Sequence, residues 1–144
     1  DIYPLKNENV NYGYGVIGEL KKPLTANEFL KHVCSSLKIE AVKHSTGKSD
    51  LISKVAVCGG SGSELLKKAI QKKADAFVTA DIKYHSFEEA KGKILFIDAG
   101  HYETEISVLD IVQKKLEKFL QQEDDEIDIY KFEGTTNPVK FFKM

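Results

Sequence analysis

The residues best suited to chemistry lie in one short run, Asp98-Ala-Gly-His-Tyr-Glu-Thr-Glu105. It follows the apolar stretch Ile94-Leu-Phe-Ile97 and sets His101 and Glu105 four residues apart. At helical spacing, side chains at i and i+4 share one face. An imidazole and a carboxylate held that way can grip one metal ion, although a full ligand set needs three or four members. Asp98, at the expected strand end, is placed to orient His101 from outside the ligand set. The same spacing also arises by chance on surface helices, so a solvated ion pair is the plainer alternative.

A second acid and histidine recur at i and i+4 in Thr79-Ala-Asp-Ile-Lys-Tyr-His85. Taken alone, Asp81 reads as a helix cap and His85 as a surface residue. Beside the 98–105 run, both become candidates to support a ligand from outside the ligand set, to contact substrate or to move a proton. Cys58-Gly-Gly-Ser-Gly-Ser63 follows an apolar run and precedes a helical one. Its Gly59, Gly60, Ser61 and Gly62 could offer successive N–H groups to an anion, aided by the helix dipole. A tight turn that needs positive φ is the other reading. No Lys-Ser/Thr follows, so the stretch is not a P-loop. Gly13-Tyr-Gly-Val-Ile-Gly18 matches a dinucleotide pattern in letters only. It lacks the preceding strand and following helix, and reads as a turn or a backbone crossing. His32 and His44 are ordinary residues on this reading.

The elements that must position these groups follow from apolar spacing. Thr25 and Glu28 form a capping box that opens a helix carrying Phe29, Leu30, Val33 and Leu37. Short strands are expected over 40–44, 52–58, 75–80 and 94–98, with helices over 64–72 and 85–91 between them. One long helix is expected over 103–120, with Ile106, Leu109, Ile111, Val112, Leu116 and Leu120 apolar. The acidic run 123–126 reads as a solvated turn, and 127–132 alternates as an edge strand does. Alternating strand and helix predicts an α/β fold, layered, with a mostly parallel central sheet and helices on its faces. In such sheets ligands collect beyond the C-terminal strand ends, where Gly59, Asp81 and His101 all fall. Residues 1–24 read as a connector or the start of the domain and 25–144 as a single α/β domain.

Composition narrows the class further. The chain has 144 residues, with 21 basic and 22 acidic side chains, for a net charge of −1. That balance gives no field aimed at nucleic acid or an anionic membrane. No apolar run approaches the roughly 20 residues that cross a bilayer. The polar start does not read as a signal peptide. The absence of an initiator Met suggests a piece of a longer protein. Cys34 and Cys58 form no metal knuckle or disulfide framework and read as small buried hydrophobes, which fits a reducing cytoplasm.

Three ordered motifs, Val55-Ala-Val-Cys-Gly-Gly-Ser-Gly62, Thr79 to His85 and Asp98 to Glu105, together resemble the Nif-three-like family, also called GTP cyclohydrolase I type 2. Gly13-Tyr-Gly-Val-Ile-Gly-Glu-Leu20 is similar to a further segment of that family. The resemblance implies two related α/β halves around a dinuclear site of divalent ions (zinc, iron or manganese), often in toroidal hexamers. It implies that His101 and Glu105 are metal ligands and that the other ligands come from an N-terminal region. That N-terminal ligand motif is absent here, so this chain is expected to correspond to the C-terminal half. Its expected partners are the N-terminal half and further copies of itself. The activity implied is metal-dependent hydrolysis of a nucleotide-like substrate, with this chain alone inactive. The alternative is a non-catalytic metal or nucleotide binder with a regulatory or assembly role.

Overall fold

The structure is a computed structural model that describes residues 2–7, 13–122 and 127–142, the first six as backbone only. The chain separates into two compact units, 1–105 and 106–144, instead of the single domain expected over 25–144.

The first unit is built on a six-stranded sheet. Its strands are β1 (Ile2–Asn7), β2 (Gly13–Thr25), β3 (Lys43–His44), β4 (Leu51–Ser61), β5 (Ala76–Ala80) and β6 (Leu95–Asp98). They lie in the order β1-β2-β4-β5-β6-β3. The centre, β4-β5-β6, is parallel. Antiparallel pairs flank it: β1 and β2 on one side, β3 on the other. Within the range expected as a connector or the start of the domain, residues 2–7 and 13–24 are strand. Their β character is masked in sequence because the β2 register shifts between Glu19 and Leu24, around Pro23. A proline is tolerated within a strand at such an irregularity.

Two of these central strands, β5 and β6, are buried on both faces, as parallel strands under helices are. Every residue of β5 and β6 is buried. Phe77 and Phe96 point to one face, stacked with ring centroids 5.3 Å apart. There they meet Leu66 and Ala69 of α2 (Leu66–Gln71) and Phe87 and Ala90 of α3 (Tyr84–Ala90). Their neighbours Ala76, Val78, Leu95 and Ile97 point to the other face, against Phe29 and Val33 of α1 (Ala26–Leu37). The capping box that starts α1 is formed. Glu28 N–H donates to Thr25 Oγ1 at 3.3 Å and Thr25 N–H to Glu28 Oε2 at 2.8 Å.

Two boundaries differ from expectation in ways that matter for the site. β4 does not turn at Gly59 but runs on to Ser61, so the glycine stretch is strand with an irregular register. The long helix expected from residue 103 is two helices, α4 (His101–Glu105) and α5 (Val108–Gln122). Only α4 belongs to the first unit.

The second unit consists of α5 and a segment over 127–142 without regular structure. The edge strand expected over 127–132 does not form. Alternation is not sufficient without a ladder partner, and an isolated strand leaves its backbone groups to water. Asp110 and Lys131 pair across this unit. Ile106, Leu109, Ile111, Val112 and Leu116 are all exposed. The acidic turn expected at 123–126 lies outside the described residues. Among the described residues, no helix is long and apolar enough to cross a membrane.

Candidate metal centre

Because β4, β5 and β6 are parallel neighbours, their C-terminal ends share one edge of the sheet. The three chemistry-bearing stretches leave from that edge, so residues far apart in sequence meet there. Asp81 follows β5 in the left-handed region, with φ 54°. Aspartate tolerates that region better than most residues. Past β6, Gly100 turns the chain at φ 86° and α4 begins on His101.

His101 sits between two carboxylates. Its Nδ1 lies 2.6 Å from Asp81 Oδ2, and its Nε2 lies 3.3 Å from Glu105 Oε2. A carboxylate only accepts, so the short contact places a proton on Nδ1. All three side chains are about half exposed. The Asp81 hydrogen bond holds the His101 pKa above the ordinary histidine range, and the negative charge of Glu105 adds to the effect.

The floor of the site is Gly60. It sits at φ 61°, and a Cβ there would collide with Glu105 Oε1 and lie 3.2 Å from His101 Nε2. Two threonines fix this approach. Gly60 N–H donates to Thr104 Oγ1 at 2.9 Å, and Thr79 Oγ1 donates to Gly60 C=O at 2.9 Å. Thr104 Oγ1 in turn reaches Gly100 C=O at 2.8 Å.

The structure thus brings together His101, Glu105, Asp81 and Gly60. The carboxylate bonded directly to His101 is that of Asp81, and Asp98, expected to orient His101, does not touch it. Asp98 is buried and bonds to Ile82 N–H, Gly100 N–H and Lys43 Nζ. His85 is exposed on α3 with its ring edge-on to Tyr84 at 5.6 Å, outside the hydrogen-bonded group around His101. Gly59, Gly60 and Ser61 lie at the end of β4 and Gly62 just beyond it. Thr79 and Thr104 are within the sequence motifs, but nothing in their spacing says that they clasp one glycine.

The donor geometry suits part of a metal centre. Ligand atoms about 2.0–2.1 Å from a tetrahedral ion lie roughly 3.3–3.4 Å apart. The Nε2 to Glu105 separation is 3.3 Å. An imidazole whose other nitrogen donates to a carboxylate is the common arrangement of a metal-binding histidine. Among the described residues, however, no three His, Cys, Asp or Glu side chains group around one point. The fit is to one side of a site.

A mixed sheet with acid and histidine gathered beyond parallel strand ends defines an α/β protein with a strand-end site. The Duf34/NIF3 (NGG1p interacting factor 3) family model matches residues 1–138, and the chain belongs to that family. A Staphylococcus epidermidis protein called "GTP cyclohydrolase 1 type 2 homolog" is 36% identical over 136 residues, 94% of this chain and 37% of its own length. A Bacillus subtilis protein of the same name is 32% identical over 142 residues, 98% of this chain and 38% of its own. Among solved structures, a Bacillus cereus protein related to NIF3 superposes with a TM-score of 0.84 at 31% identity, covering 99% of this chain and 39% of that one. The chain therefore spans well under half the length of these relatives.

Proposed function

We propose that His101 Nε2 and Glu105 hold one side of a divalent metal centre, and that a protein of the relatives' length uses the completed centre to hydrolyse a nucleotide-like substrate. The observation that carries this reading is the bracketing of His101, with Asp81 on Nδ1 at 2.6 Å and Glu105 on Nε2 at 3.3 Å. A divalent ion held there supplies Lewis acidity for hydrolysis. Asp81 keeps the Nδ1 proton in place, which leaves the Nε2 lone pair for the ion and makes it more basic. Glu105 brings the negative charge that a divalent ion requires. Gly60 keeps the space in front of both donors clear. The family resemblance supports a second ion, with zinc, iron or manganese as candidates, and further ligands from an N-terminal half. It also supports self-association into a ring. The stretch Gly59 to Gly62, whose Gly59 and Gly60 lie against Glu105 and whose Gly60 N–H is given to Thr104, is our candidate contact for the substrate phosphate through its other N–H groups. His85, on the same loop-helix segment as Asp81, is the candidate to move a proton. The two free cysteines fit a cytoplasmic setting.

Metal analysis of a protein of the relatives' length, as wild type and carrying His101→Ala or Glu105→Ala, after loading with zinc, iron(II) or manganese(II) tests the centre. Loss of metal in both variants is expected, and unchanged content in both would sink it. Assays on a panel of nucleotides and phosphoesters then test hydrolysis. A metal-loaded protein of the relatives' length that is inactive on all of them would favour the second reading, a non-catalytic binder in regulation or assembly.

A further inference from the structure

The geometry points to Asp98 as the positioning residue of this site: its single carboxylate staples together the two loops that carry Asp81 and His101. This rests on the reading of His101 as a metal ligand. Asp98 stands at the end of β6, between the loop that leaves β5 and the turn into α4. Its Oδ2 accepts from Ile82 N–H at 3.2 Å, the residue after Asp81. Its Oδ1 accepts from Gly100 N–H at 3.3 Å, the residue before His101. Each bonded residue is thus adjacent in sequence to one member of the Asp81–His101 pair.

The loop after β5 needs such a restraint. Asp81 is in the left-handed region at φ 54°. Non-glycine residues leave that region readily when nothing holds them. Gly100 takes its φ of 86° without strain, and as a glycine it has the widest freedom to leave it. Asp81 and His101 are themselves half exposed, so water competes for their mutual bond. Asp98 is 6% exposed, and a buried carboxylate that accepts two N–H bonds is a rigid anchor. Its charge is balanced by Lys43 Nζ at 2.8 Å, from the neighbouring strand β3, where Lys43 pairs in register with Asp98. Asp98 thereby sets the tautomer and direction of His101 without touching it.

The test compares Asp98→Asn with a matched control, Asp75→Asn. Asp75 also accepts two backbone N–H bonds, from Ser53 and Lys54, but it precedes β5, at the opposite end of that strand from Asp81. In the metal-free protein at fixed pH, side-chain ¹⁵N NMR reads the protonation pattern of His101. Zinc titration, followed on the same signals, reads its affinity for metal. Asp98→Asn is expected to lose the protonated Nδ1 signature and to bind zinc roughly tenfold or more weakly. Asp75→Asn is expected to lower Tm yet leave both readouts at wild-type values. A folded Asp98→Asn with wild-type ¹⁵N pattern and zinc affinity overturns the proposal, as does an equal effect of Asp75→Asn. Should Asp98→Asn fail to fold, Asp98→Ser retains one acceptor without a buried charge and is read the same way. In wild type, slow amide exchange of Ile82 and Gly100 is expected, and fast exchange at both would also overturn the staple. A wild type that shows no zinc response at His101 defeats the metal reading instead, while the Nδ1 signature still decides the role of Asp98.

Discussion

The central residue is His101, and its charge state follows from its neighbours. Two carboxylates favour the imidazolium, with the Asp81 hydrogen bond the larger cause. The folded pKa is therefore above the ordinary value of about 6.5. Protonation of His101 accordingly stabilises the metal-free fold. That stabilisation is complete below the unfolded pKa and is lost as pH rises through the raised folded value. NMR titration of the metal-free protein should place the His101 midpoint above the ordinary histidine range. Asp81→Asn should return it toward that range, and an unmoved midpoint would refute the assignment. Metal and proton compete for Nε2, so metal affinity should fall as pH falls through the same midpoint. Gly60 gives a second prediction at this scale. Gly60→Ala demands a side chain at φ 61° and a Cβ in the space of Glu105 Oε1. The backbone term alone costs roughly 1–2 kcal/mol. Denaturant unfolding should show at least that loss, and metal binding at His101 should weaken with it. The His101–Glu105 pair was legible in sequence because i and i+4 positions are local. The Asp81–His101 bond was not, because it joins residues 20 apart through the order of strands.

At the scale of elements, the parallel centre of the sheet does the positioning, and it was the most legible part of the fold. Buried strands read as short continuous apolar runs, as β5 and β6 do. The antiparallel hairpin of β1 and β2 was hidden by glycines and by Lys21-Lys22-Pro23, where its pairing with β4 loses register. α4 and α5 read as one helix because their apolar spacing continues across the break at 106–107. The stacked pair Phe77 and Phe96 ties together β5 and β6, the strands whose far ends carry the site. Phe77 is fully buried, so Phe77→Ala should cost about 3–5 kcal/mol in denaturant unfolding. A cost under about 1 kcal/mol, typical of surface positions, would contradict this packing.

At the scale of the whole molecule, the question is how many donors the chain can bring to one ion. The first unit carries both identified donors, His101 and Glu105, and among the described residues no third His, Cys, Asp or Glu joins them. Stable zinc sites use three or four protein ligands. Two donors leave most of the ion's coordination to water, and the ion then dissociates readily. The purified 144-residue chain, loaded with zinc and passed through a desalting column, should therefore retain well under one ion per chain by elemental analysis. The Staphylococcus epidermidis relative, of which this chain covers 37%, provides the comparison. If the remaining ligands lie in the part of that protein that this chain does not match, it should keep its metal through the same column. Replacing its counterparts of His101 and Glu105 by alanine should then release the metal. Tight, stoichiometric zinc on the 144-residue chain alone would mean instead that the described residues rearrange to complete the site by themselves.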